Sequence, residues 1–338
     1  METLAVKYRP SKWEDVTEQG VVVKILKNQI DTGTTKNAYV FCGASGCGKT
    51  TCARIFASAI NGNFNDVIEI DAASNNGVDN VRSIIQNASE RAIYSKYKIF
   101  IMDEAHMLSV SAWNAMLKIL EEPPRYTIFI FCTTDPNKIP ETIMNRVQRY
   151  DFNKISAKGI VSRLSYICEQ EQIPYELNAL EYTSKIANGC MRDAISIIDK
   201  CSGYFNSITV KSVVEAIGDC EFDVYFDLLN ALIDGKEQES VSIIENYYND
   251  GKDLKLFVDR LFTFVLGVTK FLLFGDLGLT NIPSIYDREL QSVVRIEDAI
   301  GYYNYLQNKL LDVRQSIKSD VFVKETVEVY ILQIIRGM

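Results

Sequence analysis

Gly43-Ala44-Ser45-Gly46-Cys47-Gly48-Lys49-Thr50 is the stretch of this chain that most restricts what it can fold into. The G-x-x-x-x-G-K-[ST] spacing sits between an apolar run, Tyr39–Cys42, and a helical pattern that opens at Thr51. In that setting it is a phosphate-binding loop. Its glycines let the backbone turn N–H groups inward, and the helix N-terminus behind it adds partial positive charge. Lys49 is then expected to reach the β- and γ-phosphates and the Thr50 hydroxyl to ligate Mg²⁺, with Thr51 closing the nucleotide-binding set.

Such a loop requires strand, turn and helix in succession, and the pattern up to about residue 153 repeats that unit. Short, nearly continuous apolar runs at Tyr39–Cys42, Val67–Ile70, Lys98–Met102, Thr127–Thr133 and Val147–Phe152 alternate with helical spacing. They predict a mostly parallel sheet covered on both faces, an α/β domain over 1–153. Trp113, Met116, Leu117 and Leu120 mark a core helix behind a Ser109 cap, stopped by Pro123-Pro124. From Ser156 the strands disappear. Val161, Leu164, Ile167 and Cys168 form one helical face, followed by helical patterns at Leu180–Ile186, Met191–Cys201 and Val210–Ile217, with Gly189 and Gly218 suited to helix ends. This predicts a small helical domain over 154–218 and an all-α domain over 219–338, the latter including Phe222–Ile233, Leu254–Phe274, Ile296–Ile317 and Phe322–Ile335, with a loop at Gly275–Ser284.

The third run ends in Asp103-Glu104, at the strand end where the phosphates are expected. Asp103 is suited to hold Mg²⁺ through its water shell, and Glu104 to polarise the attacking water of an in-line displacement. Thr134, in Cys132-Thr133-Thr134-Asp135, reads equally as a γ-phosphate sensor or as part of a strand-terminal turn. Arg146 and Arg192 read, on residues alone, as surface arginines. His106, the only histidine, has no assigned chemistry, and the Asp-Glu-Ala-His string lacks the further motifs a helicase needs.

Composition excludes several classes. With 47% hydrophobic residues the chain is too apolar for intrinsic disorder. With 36 Lys plus Arg against 44 Asp plus Glu, a net charge of −8, it does not coat nucleic acid by bulk charge. The excess is local: residues 219–338 hold 12 basic and 20 acidic side chains, while 1–153 hold 17 of each and 154–218 hold 7 of each. Eight cysteines contain no C-x-x-C pair, so reduced, buried thiols are expected rather than a zinc knuckle or disulfide framework. The start shows no secretory h-region, and the most apolar stretch, Leu261–Leu279, is broken by Lys270 and Asp276. A soluble cytoplasmic protein without a membrane partner is expected.

Several segments together carry a family resemblance: Tyr8-Arg9-Pro10, Gly43–Thr50, Glu69-Ile70-Asp71-Ala72-Ala73-Ser74, Asp103–Leu108, Asn114–Pro124 and Thr133–Arg146. The chain resembles the gamma/tau ATPase subunit of the bacterial DNA polymerase III clamp loader, specifically through about residue 218 and by helical pattern beyond it. The resemblance implies an AAA+ fold, with a nucleotide-binding domain, a helical lid and a helical collar that assembles a pentamer with other clamp-loader subunits. It implies ATP and Mg²⁺ as cofactors, with a sliding clamp and primer–template DNA as partners. By position, Thr134 matches the first sensor, Arg192 the lid arginine on the same subunit's ATP, and Arg146 the arginine finger for a neighbour's γ-phosphate. Arg82, Lys118 and Lys138 match DNA-facing basic positions, and Ala5–Pro10, with Tyr8, Arg9 and Pro10, the adenine side.

Three features depart from the family. Residues 59–65 cross directly where relatives carry a four-cysteine zinc module, so zinc is not expected. The finger reads Asn145-Arg146-Val147 instead of Ser-Arg-Cys, and two positions between Ser74 and Arg82 that are often basic in relatives are Asn76 and Gly77 or their neighbour Asn75. A short, gamma-like form of host or phage origin fits this pattern. Two further readings stay open: another AAA+ DNA-remodelling motor of the branch-migration type, and a scaffold that binds ATP without turnover, against which Lys49, Thr50 and Glu104 speak.

Overall fold

The computed structural model describes residues 2–217, 222–280, 282–283 and 286–337. Gly218, Asp219, Cys220 and Ser284, and with them the expected boundary at 218/219, lie outside the described residues. The chain divides into two compact units, Met1–Ile167 with Ala187–Ser196, and Cys168–Ile186 with Ile197–Met338. In sequence the division runs through the helices Ala157–Gln170 and Met191–Tyr204.

The first unit is built on five parallel strands, β1 (Ala38–Cys42), β2 (Val67–Asp71), β3 (Lys98–Asp103), β4 (Thr127–Thr133) and β5 (Gln148–Asp151), in the order β2-β3-β4-β1-β5. Every residue of β1 and β4 is buried. Their continuous apolar runs follow from this, because both faces are covered. Alternation sorts the side chains: Val40, Phe100, Phe129 and Phe131 meet Val81 and Ala88 of helix Val78–Ala88 and Trp113 and Met116 of helix Val110–Glu121. Tyr39, Phe41, Ile99, Ile101 and Ile130 meet Val22 and Leu26 of helix Gly20–Asp31 and Ala53 and Phe56 of helix Lys49–Asn61. The Ser109 hydroxyl accepts from Ala112 N at 3.2 Å and so caps helix Val110–Glu121. Because β4 lies between β1 and β3, the carboxyl ends of these strands stand side by side. That is the crevice in which parallel sheets bind ligands.

In the second unit, helices Phe222–Ile233, Glu237–Asn249, Leu254–Phe274, Asp287–Val293, Ala299–Ser316 and Val323–Arg336 form an all-α core. Aromatic rings knit it together: Phe226 meets Phe264 edge-on at 4.9 Å, and Tyr247 lies 4.6 Å from Phe257. The apolar stretch from Leu261 ends as a helix at Phe274, capped by Gly275 at φ 65°. Its Leu261, Phe264, Val265 and Val268 are buried. Among the described residues no helix is long and apolar enough to cross a membrane. Seven cysteines, all except Cys220, are described, and all are free and buried.

Candidate functional site

The phosphate loop connects β1 to helix Lys49–Asn61, and its shape depends on glycine. Gly46 and Gly48 adopt φ of 65° and 102°, the left-handed region that side chains disfavour. A Cβ on Gly46 would also collide with Cys190 Sγ. Met191 N donates to Gly46 O at 3.2 Å, so the start of helix Met191–Tyr204 is fastened to the loop. Gly48 provides no side-chain cap, and the first turn of Lys49–Asn61 contains no acidic residue. The N–H groups of that turn remain available to an anion.

Around this loop a single cavity is lined by Ser45–Thr51, Asp103, Glu104 and Arg192, with Tyr8, Arg9 and Pro10 completing its wall. All of its lining belongs to the first unit. Lys49 is only 6% exposed, and its ammonium donates to Gly43 O at 2.9 Å and Ala44 O at 2.8 Å. A buried cation held by neutral carbonyls alone fits a polyphosphate as its missing counter-charge. The Thr50 hydroxyl donates to Asp103 Oδ2 at 2.9 Å, so the two groups suited to Mg²⁺ are already in contact. Beneath them the Cys47 and Cys132 thiols are pushed up by burial and remain neutral.

Glu104 takes a left-handed backbone at φ 47°, unusual for a residue with a side chain. Its N–H donates to Asp103 Oδ1 at 3.0 Å. The Thr134 hydroxyl donates to Glu104 Oε2 at 3.2 Å. His106, to which the sequence assigns no chemistry, places Nδ1 3.3 Å from the same oxygen and 3.2 Å from Thr133 Oγ1. Its position follows from the 3-10 turn Ala105–Met107, which carries the ring back over Glu104.

Sequence reasoning also missed Gln19 and Arg163. Buried Gln19 donates to Cys47 O at 3.2 Å and to Asn153 O at 2.8 Å, tying the loop to the chain after β5. Arg163 lines the cavity, donates to Tyr8 O at 3.0 Å and lies over the Tyr166 ring. The bonds from Gln19 to Asn153 and from Arg163 to Tyr8 join residues more than 130 positions apart, beyond any local pattern.

Seven expected site residues do not line the cavity: Gly43, Ala44 and Thr134, which bond to its Lys49 and Glu104, and Arg146, Arg82, Lys118 and Lys138, which stand apart from it. Arg146 is held by Thr142 O and the Glu121 carboxylate. Arg82 is exposed and pairs with Asp79 at 3.1 Å, Lys118 is exposed on helix Val110–Glu121, and Lys138 is 3.7 Å from Asp135. Helices Val78–Ala88 and Val110–Glu121 pack as neighbours on one face of the sheet.

Family models match residues 58–156, described as DNA polymerase III, delta subunit, and residues 159–201, described as DNA polymerase III clamp loader subunit, ATPase lid domain. The DNA polymerase III subunit tau of Bacillus subtilis strain 168 is 38% identical over 76% of this chain and 50% of its own length. The gamma/tau subunit of Mycoplasma genitalium is 34% identical over 89% of this chain and 53% of its own. The chain thus spans about half the length of the curated relatives it matches. Among solved structures, the Thermotoga maritima RuvB Holliday junction branch migration motor aligns with a TM-score of 0.53, at 19% identity, over 67% of this chain and 79% of that one. At that identity the likeness is one of fold, and the fold is AAA+. At 33–38% identity over 76–89% of its length, the chain belongs to the gamma/tau subunit family of DNA polymerase III.

Proposed function

We propose that this chain is an ATP-hydrolysing motor subunit of a sliding-clamp loader, which opens a ring clamp and places it on primer–template DNA. What carries the reading is that the phosphate loop, the Asp103-Glu104 pair and Arg192 line one cavity while Arg146 stands outside it. Residues 1–153 supply the nucleotide domain, 154–218 the lid and 219–338 the collar through which subunits assemble.

Lys49 exchanges its loop carbonyls for the β- and γ-phosphates, and the loop N–H groups bind the remaining oxygens. Thr50 and Asp103 hold Mg²⁺, which when bound neutralises phosphate charge. Glu104 accepts the hydrogen bond of the attacking water, and Thr134 fixes its orientation. The apolar wall formed by Ala5, Pro10, Val16, Ile155 and Ile195 receives the base. Arg192 reads the same subunit's nucleotide, and Arg146 reaches that of a neighbour, so hydrolysis depends on assembly. Arg82, Lys118 and Lys138 give sequence-neutral phosphate contacts, suited to a motor that acts at any primer end.

The test is transfer of a ring clamp onto primed circular DNA by an assembly containing this chain or its Lys49→Ala variant. ATP-dependent transfer with the first and none with the second is expected. Transfer that persists in the variant overturns the proposal.

A further inference from the structure

Helix Ala157–Gln170 begins with half of a capping box. The Ser156 hydroxyl accepts from Gly159 N at 3.0 Å, and Ser156 O accepts the first helical bond from Ile160 N at 3.0 Å. A full box has a glutamate or glutamine at the third helical position, reaching back to the N–H of the capping residue. Here that position is Gly159, which has no side chain to do so. Glu18 takes its place from 138 residues away: one carboxylate oxygen accepts from Ser156 N at 2.6 Å and the other from the Ser156 hydroxyl. Gly159 makes the room, since a Cβ there would collide with the Glu18 carboxylate. Glu18 itself stands at φ 58°, a left-handed backbone that side chains disfavour, and its charge lies at the positive end of the helix dipole.

The other end of this clasp is the phosphate loop. Gln19, next in the chain and 3% exposed, donates to Cys47 O at 3.2 Å and to Asn153 O at 2.8 Å, and Asn153 N donates to its side-chain oxygen at 3.3 Å. The preceding loop carbonyl, Gly46 O, accepts from Met191 N at the start of helix Met191–Tyr204. Two consecutive carbonyls of the loop are thus tied to the starts of two helices, one directly and one through Glu18-Gln19. Further along the helix that Glu18 caps stands Arg163, which lines the cavity and holds Tyr8 O at 3.0 Å.

We propose that Glu18 completes the capping box of helix Ala157–Gln170 in trans and, through Gln19, makes the start of that helix answer to the state of the phosphate loop. Glu18 is then a positioning residue, which acts by setting the helix that carries Arg163. A helix capped from its own sequence would keep its first turn whatever the loop did. This one keeps it only while Glu18-Gln19 stays seated on Cys47 O. A phosphate that draws the loop N–H groups toward it changes that seat, and the cap follows. The coupling rests on the cavity being the nucleotide site, whereas the cap itself does not.

The experiment measures melting temperature and amide hydrogen exchange, with and without ATP and Mg²⁺, in the full chain and its Glu18→Gly, Glu18→Gln, Gly159→Ala and Glu18→Gly/Gly159→Ala variants. Glycine fits the left-handed backbone, so Glu18→Gly removes the clasp without adding strain. Without nucleotide, exchange at the Ser156 and Gly159 amides is expected to rise about fivefold in Glu18→Gly, the scale of one lost cap, and Glu18→Gln to recover part of it. Gly159→Ala should speed exchange at Ser156 in the same way, because its methyl displaces the carboxylate. The better helix propensity of alanine should then raise the melting temperature more in the Glu18→Gly background than in the wild type. ATP should protect these amides in the wild-type chain and lose most of that effect in Glu18→Gly, while its protection of the loop amides persists. Unchanged exchange in Glu18→Gly, or additive melting shifts in the double variant, would overturn the cap in trans. Equal ATP protection of the helix start in wild type and Glu18→Gly would overturn the coupling. ATP that alters exchange nowhere in the wild-type chain removes the nucleotide-site reading itself, and the coupling with it.

Discussion

At Gly46 three demands meet: a left-handed backbone, close approach of Cys190 Sγ, and a carbonyl that accepts from Met191 N. Gly46→Ala should therefore cost about 2–4 kcal/mol from combined backbone strain and overpacking. Removing the sulfur as well, in Gly46→Ala with Cys190→Ala, should recover part of the lost melting temperature. No recovery would mean that strain alone sets the cost. Glu104 is the second residue with a decisive geometry. Glu104→Gln keeps the hydrogen bond from Thr134 but loses the carboxylate charge, so ATP binding persists while single-turnover hydrolysis falls by a factor of roughly 10² or more. Turnover at the wild-type rate would remove Glu104 from the chemistry. The loop and the acidic pair were legible in sequence because each is a contiguous string with its own chemistry. His106 was not, since its role depends on the turn that returns it to Glu104.

Elements were legible to the extent that burial left a pattern. β1, β3 and β4 are covered on both faces and show as unbroken apolar runs. Phe222–Ile233 and Leu254–Phe274 likewise bury enough large side chains to declare their period. Helix Glu237–Asn249 escaped notice because it buries only Ser240, Ile244 and Tyr247, and Asp287–Val293 because it has only seven residues. Helix Val110–Glu121, which carries Lys118, depends on its cap. Ser109→Ala should destabilise it by about 1 kcal/mol, read as a lower melting temperature, while Ser109→Asp should retain stability. The buried thiols give these elements a pH limit. Burial pushes the Cys42, Cys168 and Cys201 thiols up to about 11 from 9.0. Raised values mean that the folded state prefers the neutral thiol, so this contribution is complete below pH 9 and is lost as pH rises toward 11. Thermal melting should be level up to about pH 8.5 and fall beyond it. A melting temperature that does not change up to pH 11 would contradict this.

For the whole molecule, the charge distribution acquires a meaning. The acidic excess belongs entirely to residues 219–338, and residues 1–153 carry equal numbers of acidic and basic side chains, with Arg82, Lys118 and Lys138 exposed among them. Arg146 stands outside the chain's own cavity, held by Glu121 and Thr142 O. Arg146→Ala should thus leave ATP affinity unchanged in the isolated chain and reduce hydrolysis by a factor of roughly 10³ once subunits assemble. None of this long-range organisation, nor the ties from Gln19 and Arg163 to the loop and the N-terminal segment, could be seen in a local stretch of sequence. The central claim is that this cavity hydrolyses ATP under the control of a clamp and DNA. Its most direct measurement is the steady-state ATPase rate of the reconstituted assembly, alone, with clamp, and with clamp plus primed DNA. The rate is expected to rise with each addition and to vanish with Lys49→Ala. A rate indifferent to both ligands, or one that survives the Lys49 substitution, would contradict it.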